Sequence, residues 1–297
     1  MNVDLATVLV LAMGGVLAAA WSVKLVRLAA GLKRASLYWS QPQGDDGGLL
    51  YVSLGDSAAQ GVGASHPERG YVGLLAERLR TTSGMPVRVV NLSRSGARIS
   101  DVLERQLPLL RGHRPDLVTV AIGGNDVWGY DAHLFASQVD RLTAALPVGA
   151  FIADVPYFMH GHWERDARHA TDAVTSSARS RGLTVVQLHE ALRRQGWSAM
   201  LNQFAADWFH PNDRGYRVWA DAFWAQISPV VPFLAARSRH GQDAAPGIRG
   251  AASFSGPARH RTSQRESVAV LSRGPMALPA SGVPKRLMTT ERCDPTR

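Results

Sequence analysis

The stretch Leu49-Leu50-Tyr51-Val52-Ser53-Leu54-Gly55-Asp56-Ser57 passes from an apolar segment into a Gly-Asp-Ser turn. A short apolar run closed by turn residues reads as a buried strand. Outward from it, further runs of this kind stand at Val87 to Leu92, Leu117 to Ile122, Gly149 to Val155 and Leu183 to Leu188. The apolar spacing of Tyr71 to Arg80, Ile99 to Leu110, Ala132 to Leu146, Trp163 to Arg181 and Asp213 to Ile227 predicts amphipathic helices. Strands alternating with helices argue for βαβ units, and so for a three-layer α/β sandwich around a central parallel five-stranded sheet. The roughly 185 residues involved are ample for one buried core.

In open α/β sheets ligands bind beyond the carboxyl ends of the strands. Ser57 follows the first strand, Asn91-Leu92-Ser93-Arg94-Ser95-Gly96-Ala97 the second, and Gly123-Gly124-Asn125-Asp126 the third. Much later comes Asp207-Trp208-Phe209-His210-Pro211. A serine hydroxyl needs a base within hydrogen-bond reach, and that base needs a carboxylate to fix its tautomer. One short loop can present Asp207 and His210 together, with Ser57 arriving from another element. Acyl transfer also needs donors aimed at an oxyanion. Gly96 offers a backbone N–H that a substrate can approach closely, and Asn125 offers a side-chain amide. Taken singly, Gly-Asp-Ser is a common turn and Asp-x-x-His carries little information. Their order and their placement at strand ends make them a site.

With these four blocks in this order, the chain resembles the SGNH hydrolases, also called the GDSL esterase/lipase family, over roughly residues 49 to 231. The resemblance implies a flavodoxin-like sheet and hydrolysis of carboxylic esters through an acyl-enzyme. Carried over, it makes Ser57 the nucleophile, His210 the general base and acid, Asp207 its orienting carboxylate, and Ser57 N–H, Gly96 N–H and Asn125 the oxyanion donors. Lipid esters or acylated glycans are the implied substrates. Alternatives are a deacetylase or acyltransferase acting on glycan O-acetyl groups, or a non-catalytic binding module. The module would lack a catalytic group, and every one is present. Two departures stand out: Ala58 occupies a place usually held by a bulky aliphatic residue, and Trp208 and Phe209 are bulkier than the pair common between acid and base. Neither removes a catalytic group.

Trp128 and Tyr130 follow the Asn125 block and can line an acyl pocket. Asp126 reads as a brace for its turn. His160 and His162, with Asp154 and Asp166 near them, match no established metal spacing and read as a surface loop. There is no Gly-rich phosphate cradle and no CxxC pair, so no cofactor or metal is expected. Cys293 is the single cysteine, so no intrachain disulfide can form.

Leu5 to Val23 is a charge-free run in which only Thr7 and Ser22 are polar, and Lys24, Arg27, Lys33 and Arg34 follow it. As a helix it would span nearly 30 Å, so residues 1–40 are expected to form a transmembrane anchor with a basic juxtamembrane segment. The positive-inside rule then puts a single-pass protein's catalytic domain on the cytoplasmic side, and a cleaved leader with a secreted domain is the alternative. Residues 41–48, with Pro42 and several glycines, read as a linker, and 49–236 as the hydrolase domain. From Arg237 onward eleven Lys or Arg face four Asp or Glu, a net +7 of the chain's +9. Residues 237–297 therefore read as a disordered basic tail, and the overall charge is no argument for a nucleic-acid partner. The oligomeric state has no signature in the sequence.

Overall fold

The computed structural model describes residues 5–159 and 161–243. His160 and residues 244–297, which include Cys293 and most of the expected tail, lie outside the described residues. Five strands, β1 (Leu49–Gly55), β2 (Val87–Asn91), β3 (Leu117–Ala121), β4 (Phe151–Ala153) and β5 (Thr184–Val186), form one sheet. All neighbours pair in parallel, in the order β2-β1-β3-β4-β5. The order reverses between β1 and β3, and such a switch point opens a crevice at the carboxyl ends of the strands.

The helices are α1 (Leu5–Tyr38), α2 (Tyr71–Ser83), α3 (Ile99–Asp101), α4 (Leu107–Leu110), α5 (Ala132–Ala145), α6 (Gly161–Ser180), α7 (Leu188–Arg193), α8 (Ser198–Asn202), α9 (Asp213–Ile227) and α10 (Val231–Asp243). Two cores flank the sheet, because side chains alternate between its faces. From β1, Leu49 and Tyr51 join Leu75 of α2, Tyr216 and Phe223 of α9, and Leu234 of α10. Val52 and Leu54 point the other way, onto Ile99 of α3, Val139 and Leu142 of α5, and Val174 of α6. Both faces are covered, so β1 reads as a continuous apolar run. Each such Leu or Phe stabilises by about 1.5–3 kcal/mol relative to exposure.

The expected helix over Ile99 to Leu110 is interrupted by a π turn at Val102–Gln106. Pro108 has no N–H to return to the Glu104 carbonyl, so a regular α-helix cannot run through that turn. Three helices toward the end of the described residues differ from expectation: Leu188 opens α7 where a strand end is expected, α8 stands in a stretch with no expected element, and α10 runs to Asp243, past residue 236.

The N-terminal expectation needs correction. Helix α1 is unbroken from Leu5 to Tyr38, but among the described residues no helix is long and apolar enough to cross a membrane. That overturns the transmembrane helix over residues 5–23 and the single-pass membrane placement derived from it. The charge-free run owes much of its length to Ala6, Ala12, Gly14, Gly15, Ala18, Ala19 and Ala20. These small side chains supply little of the transfer free energy that Leu and Val provide. The same helix continues through Lys24, Arg27, Lys33 and Arg34 and ends against the sheet domain. Ala35 and Trp39 are buried there, Arg34 donates to Ser65 O at 2.8 Å, and Tyr38 donates to Glu68. In the segment 41–48, Gln43 makes an antiparallel bridge with Val89 of β2.

Candidate active site

Ser57 lies just beyond β1, and the strand end is held by a buried side chain. Gln106, in the π turn, accepts Gly55 N–H at 2.9 Å and donates to Gly55 O at 2.8 Å. Gly55 has φ 152, and a Cβ there would stand 2.4 Å from Ala121 O. Only glycine lets β1 and β3 stay paired at this sharp exit. The next residue, Asp56, accepts Ala58 N–H at 2.9 Å and faces Asn125 Nδ2 at 3.4 Å. Burial pushes the Asp56 carboxyl up to about 6, against the bond from Ala58 N–H and the nearby His210 ring.

Asp207 and His210 come from the loop between α8 and α9. That loop is closed by a bridge between Phe204 and Pro211 and by the Ala205 N–H donated to His210 O at 2.8 Å. Asn212, the N-cap of α9, accepts Arg214 N–H and Gly215 N–H and fixes where the loop must end. Between acid and base, Trp208 adopts the left-handed region at φ 59. For a non-glycine residue this costs about 1–2 kcal/mol, offset by Asp207 Oδ1, which accepts both Phe209 N–H and His210 N–H at 3.0 Å. The loop packs closely on Gly63, six residues beyond Ser57, where a Cβ would meet Pro211 O at 2.5 Å and His210 Cβ at 2.8 Å.

These constraints bring three side chains into series. His210 Nε2 lies 2.9 Å from Ser57 Oγ, and His210 Nδ1 lies 2.7 Å from Asp207 Oδ2. Burial pushes the Asp207 carboxyl up, but the bonds from the His210 ring and from the two backbone N–H groups outweigh it and hold the group below its usual value. An ionised carboxylate can only accept, so Nδ1 carries the proton and Nε2 faces the serine hydroxyl as acceptor. Such a chain of bonds can pass the Ser57 proton to His210.

The residues expected as oxyanion donors are placed differently from one another. Asn125 lines the cleft beside Ser57. Its Nδ2 donates to Ala97 O at 2.9 Å, and the second proton has only the 3.4 Å contact with Asp56, too long to be strong. Gly96 is exposed and does not line the cleft. Among the described residues, no hydrogen bond engages the Gly96 or Ser57 N–H. Asp126 accepts Ile99 N–H at 3.4 Å and braces the start of α3, and burial pushes its carboxyl up to about 6.

The cleft has a volume of about 360 Å³. Its walls are mainly apolar, with Phe158, Met159, Met200, Phe204 and Phe209 among the lining residues and Ser57 and His210 at one side. Trp128 is not in the lining but packs at a tilt against two residues that are, Trp163 at 4.7 Å and Phe209 at 6.3 Å between centroids. Tyr130 packs on Phe135 instead. His162 leans on Trp163, Asp166 pairs with Arg165, and Asp154 accepts His189 N–H. Among the described residues, no three His, Cys, Asp or Glu side chains gather as a metal cradle. The cleft-lining residues Pro156 to Met159 and those of α8 have no site role assigned from the sequence, since no spacing pattern ties either stretch to the strand ends. Gln60 was also passed over, although a lone polar residue in Ala58-Ala59-Gln60-Gly61 is a signal.

Residues 53–218 match the GDSL-like lipase/acylhydrolase family. A curated relative, Esterase TesA of Pseudomonas aeruginosa, is 42% identical over 78 residues, which cover 26% of this chain and 37% of the relative's length. Among solved structures, an alpha/beta hydrolase enzyme from the metagenome of Lake Arreo, Spain, is 26% identical at a TM-score of 0.51, covering 60% of this chain and 94% of that one. A TesA crystal structure is 23% identical at a TM-score of 0.53, covering 61% and 99%. A variant of an acetyl xylan esterase from Geobacillus stearothermophilus is 23% identical at a TM-score of 0.51, covering 61% and 94%. The last two likenesses concern the fold alone.

Proposed function

Because the chain belongs to the GDSL-like lipase/acylhydrolase family, we propose that it is a carboxylic ester hydrolase that cleaves esters of apolar acyl groups through an acyl-enzyme at Ser57. The supporting observation is the unbroken series Asp207, His210, Ser57 at 2.7 and 2.9 Å, opening into an apolar cleft. Ser57 Oγ attacks the ester carbonyl carbon while His210 Nε2 takes its proton, and the carbonyl π electrons move onto oxygen. Donors from Ser57 N–H, Gly96 N–H and Asn125 meet that oxyanion, each worth about 10²–10³ in rate. Collapse expels the alcohol, which receives the proton from His210. Water, deprotonated by the same nitrogen, then releases the acid and frees Ser57.

For the Asn125 amide to donate to the oxyanion, its second proton must turn from Asp56 to the substrate. The weak 3.4 Å contact makes that exchange inexpensive. Lipid-like esters fit the aromatic and methionine lining better than a bare acetyl group does.

The test is hydrolysis of p-nitrophenyl acetate and p-nitrophenyl octanoate by the full chain and by Ser57→Ala. The reading expects Ser57→Ala to lose turnover on both esters and the octanoate to have the higher kcat/KM in the parent. Full activity in Ser57→Ala would refute the nucleophile, and an efficiency that falls steadily with acyl length would refute the apolar-acyl assignment.

A further inference from the structure

Gln60 lies three residues beyond Ser57, is 5% exposed, and neither lines the cleft nor touches the Ser57-His210-Asp207 series. Both polar atoms of its side chain bond the segment that follows β2. Its Nε2 donates to Ser93 O at 2.9 Å, and its Oε1 accepts the Ser95 hydroxyl at 2.6 Å. Ser93 O can only accept, so a single amide orientation satisfies both bonds. A second strut runs alongside it. Asn91 Nδ2 donates to Ala59 O at 2.8 Å, and Asn91 Oδ1 accepts Ser93 N–H at 3.1 Å. The Gln60 backbone is fixed from the opposite side, where Trp39 Nε1 donates to Gln60 O at 3.0 Å. The loop so gripped carries Gly96, whose N–H has no use inside the protein among the described residues.

We propose that Gln60 is a positioning residue, clamping the 93–96 loop to the nucleophile loop so that the Gly96 and Ser57 N–H groups converge on one oxyanion. The inference rests on the reading of Ser57 and Gly96 proposed above. Its physical basis is that such donors stabilise charge only when placed within a few tenths of an ångström of the position the oxyanion will occupy. The neutral ester carbonyl interacts with them far less than the oxyanion does. A loosened loop should therefore depress kcat and leave KM nearly unchanged.

The experiment compares full-length wild type, Ser57→Ala, Gln60→Met and Ser95→Ala. Methionine fills the space of glutamine without its hydrogen bonds, and Ser95→Ala removes one of the two bonds at a less buried position. Wild type, Gln60→Met and Ser95→Ala are titrated to completion with a fluorophosphonate, and kcat and KM for p-nitrophenyl acetate are expressed per titrated site; Ser57→Ala, which lacks the titrated hydroxyl, is assayed per mole of chain. We expect Gln60→Met to lose about tenfold or more in kcat, with KM within about twofold of wild type, and Ser95→Ala to show a smaller loss in the same parameter at an unchanged Tm. A merely structural role would lower the number of titratable sites and leave kcat per site at the wild-type value, which would overturn the proposal. Should Gln60→Met yield no folded protein, Ser95→Ala decides, and a wild-type kcat there overturns it equally. Turnover surviving in Ser57→Ala would remove the reading of the site and this inference with it, whereas an inactive Ser57→Ala beside a fully active Gln60→Met would remove this inference alone.

Discussion

Asp207→Asn should silence the enzyme while leaving its fold in place. Oδ1 of Asp207 accepts two backbone N–H groups, from Phe209 and His210, and Oδ2 faces His210 Nδ1 at 2.7 Å. An asparagine must keep its oxygen toward the two backbone donors, because its NH₂ has nothing to accept with. The NH₂ then points at Nδ1 and forces that nitrogen to accept. The ring proton moves to Nε2, which can no longer take the Ser57 proton. Recovering the productive tautomer requires turning the amide round and leaving both backbone donors unpaired, at about 1–3 kcal/mol each. The ion pair that stabilises the developing imidazolium is lost as well. The two donors alone come to about 2–6 kcal/mol, a range that contains the roughly 4–5.5 kcal/mol equivalent to three to four decades at 1.36 kcal/mol per decade, the scale seen when this tautomer is disturbed in serine triads. The assay is kcat and KM on p-nitrophenyl octanoate, with thermal unfolding as the control for folding. The expectation is a kcat lower by 10³–10⁴ at similar KM. A folded Asp207→Asn within tenfold of wild type would refute the tautomer argument.

Three further outcomes follow from single observations. Burial pushes the Asp154 carboxyl up to about 6, from about 3.9 in the unfolded chain, so the folded state holds the extra proton and stability falls as pH rises from about 4 to about 6. Asp154→Asn should therefore gain on wild type across that window, by up to about 3 kcal/mol, and then level off; urea unfolding at each pH checks it, and a pH-independent difference would contradict it. The buried Tyr71 hydroxyl has no hydrogen-bond partner among the described residues, so Tyr71→Phe should be neutral or stabilising by up to about 1 kcal/mol in denaturant titration, and a loss of that size would show that the hydroxyl is satisfied in solution. Gly63→Ala should destabilise by about 2 kcal/mol or more and reduce kcat, because the new Cβ meets Pro211 O at 2.5 Å at φ 94; unchanged Tm and kcat would count against the close approach.

What could be read from the sequence is what local chemistry encodes. The passage from Leu54 into Gly55-Asp56-Ser57, and the polar turns after β2 and β3, mark strand ends because apolar runs and turn residues are adjacent in the chain. Asp207 and His210 are three residues apart and needed no long-range register. Gln60, Gln106 and Asp154 were not legible, since their partners lie 33, 51 and 35 residues away and no spacing rule announces them. The wall residues Pro156 to Met159 follow β4 in a stretch without periodicity. The N-terminal run misled for the opposite reason. Absence of charge over residues 5–23 was read as strong apolarity, although many of those positions are alanine or glycine.

The bridge between Gln43 and Val89 has a practical consequence. β2 lies at one edge of the sheet, and Gln43 occupies both the N–H and the carbonyl of Val89 on that outer side. A chain trimmed to begin at β1 would leave that edge as an open row of donors and acceptors, to which a strand from another molecule can add. The damage from removing what resembles a spacer would then include concentration-dependent precipitation, a loss that an assay on freshly diluted protein does not register.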